Sequence, residues 1–242
     1  MGNMFYQPGE QRAAKVNDLF ASIARRYDLL NDLQSFGLHR RWKKLLVDLA
    51  APKPGERVLD LCCGTGDISL RFAERGASVT GLDFSQPMLI VADSRRTENH
   101  KTEIRNPFFI QGDAMQLPFP DDSFDIVSVG YGLRNLANWE RGLEEMLRVA
   151  KPGARVLVLD FGKPTNLLWR QIYFGHLKFV APLLGKLFCG DAAAYAYILE
   201  SLQHYPAQEG VTARMREMKL TDVKLVNLLG GAMSLHYAEK AK

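Results

Sequence analysis

The sequence lacks the features that mark secreted, membrane-spanning or metal-binding proteins. Its three cysteines, Cys62, Cys63 and Cys189, are too few for a disulfide framework, and no Cys or His spacing suggests zinc, so no metal is expected. It contains no run of 18 apolar residues and no apolar core near its N-terminus, which argues against a transmembrane helix or a secretion signal. We therefore expect a reduced, cytoplasmic protein, with contact at the membrane surface as an open option.

The chain also lacks a strong charge of either sign, with a formal net charge of +4. Its basic clusters, near residues 25–26, 39–44 and 95–96, are more typical of solvated helix faces than of a nucleic-acid surface, so we expect no nucleic-acid partner. Internal repeats and low-complexity tracts are absent. A length of 242 residues with 47% hydrophobic and 24% charged residues fits a globular α/β protein of one large domain with additions, or of two small domains.

One stretch, residues 58–67, organises the rest of the chain. A short apolar strand reaches Asp60, a Gly64-Thr65-Gly66 turn follows, and an apolar helical pattern begins at Ile68. The glycines let a ligand approach the backbone, and the first turn of the helix offers free N–H groups. A strand, a glycine turn and a helix in this order predict a ligand-binding turn, although incidental glycines in a plain strand–turn–helix are the alternative.

The motif resembles the first motif of class I S-adenosylmethionine (SAM) methyltransferases, Asp-x-x-x-Gly-x-Gly. A dinucleotide fingerprint would have a third glycine where this chain has Ser69. SAM carries a cationic amino-acid end and a sulfonium, so a carboxylate such as Asp60 beside Gly64, Thr65 and Gly66 is electrostatically favourable.

Two further predicted strands end in acids. Asp83 comes one βαβ unit after Asp60, where a carboxylate can accept both ribose hydroxyls of an adenosine, although it also fits a helix N-cap. Met88 follows as a candidate cover for an adenine ring, or as a core residue. Asp113, followed by Ala114, ends the third strand and can accept the adenine amino group. Parallel strands would bring these acids to one edge of a sheet.

The remaining pattern completes an α/β fold. We predict a Rossmann-like class I methyltransferase with a seven-stranded, mostly parallel sheet, a final antiparallel strand, N-terminal helices and a helical cap insertion. After the third strand, the predicted strands are 124–129, 156–161, 223–228 and 234–238, with a turn at 151–155. Gly130 and Gly132 follow the fourth strand and allow close backbone approach to a ligand there, while Arg134 and Asn135 bring hydrogen-bond donors.

The predicted domains are an N-terminal helical lid, 1–50, and a SAM-binding domain, 51–242, with the cap at about 165–206. Residues 1–11 look like a loose arm, and an amphipathic helix runs from Lys15 to Tyr27. Tyr27 fits either a ligand contact or a core aromatic. The apolar stretch 167–190 fits a cap with an apolar inner wall, a segment touching lipid, or a helix buried against the sheet.

Three motifs resemble signatures of the ubiquinone/menaquinone biosynthesis C-methyltransferases. They are FASIARRYDLLND with GLHRRW (residues 20–32 and 37–42), YGLRN (131–135) and GGAMSLH (230–236), and the likeness covers about residues 16–240. The resemblance implies methyl transfer from SAM to a ring carbon of a polyprenylated demethylquinol. It also implies cofactor contacts at Thr65, Asp83 and the pair Asp113-Ala114.

The chemistry of such a reaction identifies candidate catalytic residues. A quinol ring carbon becomes nucleophilic when a hydroxyl ionises, and Arg134 can stabilise the phenolate directly or through a water, while Asn135 orients that water. Tyr27 and His236 are rival bases, although a His on the last hairpin is more often structural. A soluble small-molecule substrate and a SAM-binding scaffold without catalysis are the alternatives, and a homodimer remains open.

Overall fold

A computed structural model describes residues 10–98, 107–180, 182–183 and 193–242. Its seven strands form one sheet in the order β3-β2-β1-β4-β5-β7-β6. The strands are β1 Arg57–Leu61, β2 Ser78–Asp83, β3 Phe108–Gln111, β4 Phe124–Gly130, β5 Ala150–Phe161, β6 Thr221–Leu228 and β7 Met233–Glu239. Strands β1 to β5 pair in parallel, and β7 runs antiparallel to both neighbours. The predicted sheet, mostly parallel with an antiparallel strand at the end of the chain, is confirmed.

Helices cover both faces of the sheet. They are α1 Glu10–Ile23, α2 Tyr27–Ser35, α3 Leu38–Ala50, α4 Asp67–Glu74, α5 Gln86–Glu98, α6 Trp139–Val149, α7 Leu167–Gly175, α8 Ala193–His204 and α9 Ala207–Glu217. Side chains alternate along each strand, so Val58 packs with α3 and α4, while Leu59 packs in the core that contains α6 and α9. Two apolar layers with the sheet between them follow from this alternation.

The structure corrects two boundaries. The predicted turn at 151–155 lies within β5, whose first residues pair with β4 across a register shift, and Gly153 supplies a φ of +78° there. The predicted single helix from Lys15 to Tyr27 is interrupted, because the 3₁₀ turn Ala24–Arg26 separates α1 from α2. Residues 10 and 11 belong to α1, while the rest of the predicted arm and part of the predicted cap lie outside the described residues.

The sheet has its topological switch point between β1 and β4. Strands β2 and β3 extend the sheet to one side of β1, and the chain then returns to add β4 on the other side. Such a reversal leaves a crevice at the carboxyl ends of the two strands, where α/β proteins bind ligands. Within the part of the chain that the structure describes, the helices are too short or too polar to cross a bilayer.

Candidate active site

A cavity of about 820 Å³ lies at the carboxyl edge of the sheet, above the switch point. We name it the edge cavity. Its floor comes from the turns after β1 and β4, through Gly64, Gly130 and Gly132, and one wall comes from Asp83 and Met88. Asp113 and Ala114 line the same cavity. The structure therefore brings together six of the predicted cofactor residues, which are Gly64, Asp83, Met88, Asp113, Ala114 and Gly130.

Asp83 is a half-buried carboxylate of the edge cavity. Its two oxygens accept hydrogen bonds from the backbone N–H groups of Gly64 and Ser85, both at 2.8 Å. Burial raises the pKa of Asp83 above its ordinary value. A carboxylate has about four lone-pair sites, so two remain for hydroxyl donors of a ligand. Asp83 thus fixes the glycine turn and keeps acceptor capacity facing the cavity.

Three other predicted cofactor residues lie behind the cavity wall. Asp60 is one residue before the end of β1, where strand alternation turns it towards α4, and it accepts from Ser69 Oγ at 2.6 Å and Ser128 Oγ at 3.0 Å. Thr65 and Gly66 also do not line the edge cavity. Gly66 is required for its φ of +79° at the start of α4. The geometry therefore indicates that these residues fix the shape of the glycine turn.

The N-terminal helices cover the edge cavity. Phe20 from α1 and Tyr27 from α2 line it, and their rings meet edge to face with centroids 6.1 Å apart. Below them, Arg95 Nη1 donates to Asp28 Oδ2 at 2.8 Å and to the Thr65 carbonyl at 3.1 Å. This Asp28–Arg95–Thr65 contact, which we call the latch, joins α2 to α5 and to the glycine turn.

Two residues of the cavity wall hold the left-handed backbone conformation. Cys62 has φ +51° and Tyr131 has φ +62°, which costs an L-residue free energy. A Cβ on Gly132 would lie 2.3 Å from the Cβ of Cys62, so only glycine fits between the two turns. The Tyr131 ring reaches three cavities from this conformation. Strained backbone of this kind is typical of functional sites.

Arg134 lies behind Tyr131 as half of a buried ion pair. Its Nη1 donates to Asp160 Oδ1 at 2.8 Å, and its backbone N–H donates to Asp160 Oδ2 at 3.0 Å. The guanidinium also lies 4.5 Å from the centroid of the Phe161 ring. Burial alone would lower the pKa of Arg134, but the charge and hydrogen bond of Asp160, together with Tyr197 and Tyr27, outweigh burial and raise it. Arg134 is therefore a fixed positive charge in a site of low dielectric.

Two more cavities continue from the edge cavity. A small one, the junction cavity, is lined by Tyr27, Asn31, Tyr131 and Arg134 among others. A larger one of about 910 Å³, the aromatic cavity, lies between α2, α3 and α7. Its apolar walls are Phe36, Leu38, Trp42, Phe161, Trp169, Ile172, Tyr173, Leu177, Leu229, Ala232 and Met233. Tyr131 lines all three cavities, so the three adjoin at this residue.

The structure separates the four predicted catalytic residues. Tyr27 and Asn135 line the edge cavity and Arg134 lines the junction cavity. Burial raises the pKa of Tyr27 to about 12, so its phenol donates at neutral pH and is poorly suited to act as a base. His236 lies in the middle of β7, between the carbonyls of Val158 and Gln208, and lines none of the three cavities. Its geometry supports the structural interpretation.

Sequence reasoning missed Asp160, Tyr131 and Gln34 as site residues. Asp160 had a usable signal, because it is an acid one residue before the end of a predicted strand, near the edge where Asp83 lies. Gln34 had none, since the sequence does not show that α2 turns this side chain towards the aromatic cavity. The position of Tyr131 in the site depends on its left-handed backbone conformation. The glycines on either side of it in the sequence hint at an unusual turn but do not predict this conformation.

The lining of the edge cavity fits a cationic nucleoside such as SAM. Its walls are mostly apolar, and Asp83 and Asp113 supply a few carboxylate acceptors, which is the lining expected of a small-molecule site. The side-chain oxygen of Asn17, also in this wall, is buried without a partner in the structure. An orphaned acceptor in such a wall indicates a ligand with donors, and SAM has an ammonium group and hydroxyls.

Comparison with curated proteins gives relatives along nearly the whole chain. The demethylmenaquinone methyltransferase of Desulfitobacterium hafniense (strain Y51) is 42% identical over 238 residues, which is 97% of this chain and 93% of that protein. The ubiquinone/menaquinone biosynthesis C-methyltransferase UbiE of Ectopseudomonas mendocina (strain ymp) is 42% identical over 232 residues, covering 95% of this chain and 90% of that protein.

Solved structures with lower identity share the fold. A SAM-dependent methyltransferase from Aquifex aeolicus matches with a TM-score of 0.57 and 17% identity, covering 81% of this chain and 88% of that chain. Magnesium protoporphyrin IX methyltransferase from Synechocystis PCC 6803 matches with a TM-score of 0.58 and 19% identity, covering 84% of each chain. The profile of the ubiE/COQ5 methyltransferase family matches residues 8–240. The chain therefore belongs to the ubiE/COQ5 methyltransferase family and is a SAM-dependent methyltransferase.

Proposed function

We propose that the protein transfers the methyl group of SAM to a ring carbon of a polyprenylated demethylquinol. The product is menaquinol, or the equivalent benzoquinol of the ubiquinone pathway. The observation that carries the proposal is the aromatic cavity, a second chamber of about 910 Å³ that meets the SAM-sized edge cavity at Tyr131. The names of the two relatives at 42% identity support a quinone substrate.

The edge cavity would hold the cofactor. Asp83 would accept from the ribose hydroxyls, Asp113 and Ala114 would flank the adenine, and Met88 would cover it. SAM supplies an activated methyl group bound to its sulfonium, and the sulfur is the leaving group of the transfer. The latch and the rings of Phe20 and Tyr27 would close the cavity and exclude water from the reacting groups.

Arg134 would promote ionisation of the ring hydroxyl next to the carbon that is methylated. A phenolate pushes electron density onto the ring carbon, and a fixed guanidinium in a site of low dielectric lowers the energy of that phenolate. Asp160 holds the guanidinium in place at 2.8 Å, so little reorganisation is needed. Tyr27 remains protonated and would donate a hydrogen bond to the same oxygen. Asn135, whose Oδ1 accepts a hydrogen bond from the Tyr197 hydroxyl at 3.1 Å, would orient a water that removes the proton.

The prenyl tail would leave through the mouth of the aromatic cavity. Phe36, Ile172 and Leu229 line that cavity and are nevertheless 85%, 54% and 50% exposed. Leu168 lies one helical turn before Ile172 and is 68% exposed. We define the mouth patch as Phe36, Leu167, Leu168, Ile172, Phe179 and Leu229, all exposed apolar residues.

The mouth patch would rest on a membrane surface that contains the quinol. Exposed apolar side chains beside the cations Arg170 and Lys178 are typical of interfacial segments that meet anionic lipid. In this arrangement residues 1–50 act as the lid over the cofactor, and the cap faces the lipid. A soluble substrate would need neither the patch nor a cavity open beside it.

The function is tested by incubating the protein with methyl-labelled SAM and chemically reduced demethylmenaquinol carrying a short prenyl chain. The proposal expects the label on a ring carbon of the quinol product. Label on soluble phenols alone, with none on any prenylated quinol, would favour the small-molecule alternative and refute the proposal. SAM binding with no methylated product would identify a scaffold.

Membrane contact is tested by flotation with vesicles that contain phosphatidylglycerol. The pair Leu168→Asp with Phe179→Asp should lose most vesicle binding and keep activity on a short-chain quinol in detergent. A matched pair, Ile90→Asp with Phe108→Asp, removes apolar residues that are similarly exposed, at 58% and 62%, but far from the mouth patch. Equal loss of flotation in both pairs would contradict the assigned surface.

A further inference from the structure

Unpaired polar atoms collect around the aromatic and junction cavities. Asn31 Nδ2, Gln34 Nε2, His39 Nδ1 and the Tyr131 hydroxyl are buried and have no hydrogen-bond partner in the structure. All four residues line the aromatic cavity. A buried polar group without a partner costs about 1–3 kcal/mol, so four of them in one apolar chamber indicate a ligand with matching groups.

The protonation of His39 can be assigned from its neighbours. Its Nε2 lies 2.8 Å from Asp32 Oδ1, and Arg40 binds both oxygens of the same carboxylate at 2.8 and 2.6 Å. The Arg40 hydrogen bond holds the pKa of Asp32 well below its usual range, so the carboxylate stays charged and only accepts. His39 Nε2 therefore carries the proton that Asp32 accepts.

The other ring nitrogen of His39 is then an acceptor. His39 is 3% exposed, and burial, followed by the charge of Lys43, lowers its pKa, so the imidazole is neutral at pH 7. A neutral imidazole with hydrogen on Nε2 has a lone pair on Nδ1. His39 lines the aromatic cavity, so a donor on a ligand bound there can satisfy this lone pair. Gln34, on the preceding helix, lines the same cavity with an unpaired amide donor.

We propose that His39 and Gln34 recognise the quinol hydroxyl that is remote from the methyl donor, and that His39 thereby selects the reduced quinol over the oxidised quinone. The inference rests on the proposed function and adds the residues that read the oxidation state of the substrate. Among the three cavities His39 lines only the aromatic one, so it lies away from the cofactor, whereas Gln34 also lines the junction cavity and lies between His39 and Arg134.

A hydroxyl satisfies both residues at once. Its O–H donates to His39 Nδ1, and its oxygen accepts from Gln34 Nε2. A quinone carbonyl oxygen can accept from Gln34 but has no proton for His39, so binding the quinone leaves the imidazole lone pair buried and unpaired. Sites built to hydrogen-bond a substrate hydroxyl discriminate strongly against analogues that cannot make the bond. The oxidised ring, which is also not nucleophilic, is thus kept out of the site.

Two substitutions separate the roles of the pair. His39→Gln places an amide there that can donate as well as accept, so it should bind quinol and quinone with similar affinity. Gln34→Leu removes a donor that both ligands use, so it should weaken both and keep their ratio. Asp32→Asn lets the imidazole carry its proton on Nδ1 and should also raise quinone affinity, which provides a second route if His39→Gln is unstable.

The measurement is binding of a short-chain demethylmenaquinone, oxidised or chemically reduced, under anaerobic conditions. Trp42 and Trp169 line the aromatic cavity, so quenching of tryptophan fluorescence reports occupancy. The wild type should bind quinol at least about tenfold more tightly than quinone, the effect expected from one buried unpaired group. In His39→Gln the ratio should fall to about threefold or less.

A control variant completes the test, and the results that would contradict this inference differ from those that would contradict the proposed function. His176 also lines the aromatic cavity and is absent from the proposed pair, so His176→Gln should keep the wild-type ratio. A wild type that methylates quinol but binds quinone equally well, or a His39→Gln variant with an unchanged ratio, overturns this inference and leaves the proposed function intact. Failure of the proposed function would show as no methylated quinol at all.

Discussion

The buried Arg134–Asp160 pair gives the sharpest quantitative prediction. Asp160 is fully buried and Arg134 is 5% exposed, so removing either charge leaves the other without compensation in the interior. Breaking a buried pair in this way costs about 3–5 kcal/mol. Asp160→Asn and Arg134→Met should each lower the free energy of unfolding by about 3 kcal/mol. Asn keeps one acceptor oxygen, which serves only one of the backbone N–H groups of Arg134 and Phe161, because Asp160 now binds them through different oxygens at 3.0 and 2.8 Å.

The double variant, Arg134→Met with Asp160→Asn, removes both charges. Its loss of stability should be smaller than the sum of the single losses, with a coupling of about 2 kcal/mol. Urea denaturation followed by circular dichroism measures all four proteins. A matched cycle on Lys224 and Asp222, an exposed pair on β6, should show a coupling below about 0.5 kcal/mol. Additive effects at Arg134 and Asp160 would refute the assignment of a strongly coupled buried pair.

The same variants separate stability from catalysis. Arg134 does not line the edge cavity, so Arg134→Met should bind SAM with an affinity within about threefold of the wild type and lose methyl transfer. Titration calorimetry with SAM and the labelled-quinol assay give the two values. Retained turnover in a folded Arg134→Met protein would remove the guanidinium from the reaction.

Three further predictions concern the turn, the latch and the cavity wall. Burial raises the pKa of Asp60 to about 7, against about 4 in the unfolded chain, so the native state holds its proton longer and stability falls as pH rises from about 4 to 7. Asp60→Asn should remove most of this fall in the free energy of unfolding, which reaches up to about 4 kcal/mol. Curves of unfolding free energy against pH that run parallel in the wild type and the variant would contradict the prediction. Arg95→Met should raise the dissociation rate of SAM about tenfold by stopped flow, whereas Arg96→Met, in a surface pair, should not. Gly132→Ala should weaken SAM binding at least about tenfold because its methyl displaces Cys62, whereas Gly175→Ala meets open space and serves as the control.

Much of the fold follows from local pattern. Apolar strands, glycine turns and an acid after each strand were enough to predict the sheet and its carboxyl edge, because parallel strands place these ends together. Asp83 and Asp113 consequently lie in one cavity. The pattern did not show which way Asp60 faces, since a shift of one residue along a strand moves a side chain to the other face.

The N-terminal helices show what sequence reasoning could not supply. The 3₁₀ turn Ala24–Arg26 separates α1 from α2, and Asn31 and Gln34 of α2 line the aromatic cavity. Asp160 lies one residue before the end of a predicted strand, but its pairing with Arg134 depends on the turn after β4, where Tyr131 has a φ of +62°. Such conformations follow from tertiary packing, which overrides local preference.

The central claim is that cofactor and quinol occupy adjoining cavities that meet at Tyr131. A crystal structure with SAM and a non-reactive analogue of the demethylquinol tests it most directly. The account predicts the ribose beside Asp83 in the edge cavity and the dioxygenated ring in the aromatic cavity, in contact with Tyr131. A cofactor bound elsewhere, or an aromatic cavity that stays empty while the ring binds at another surface, would contradict it.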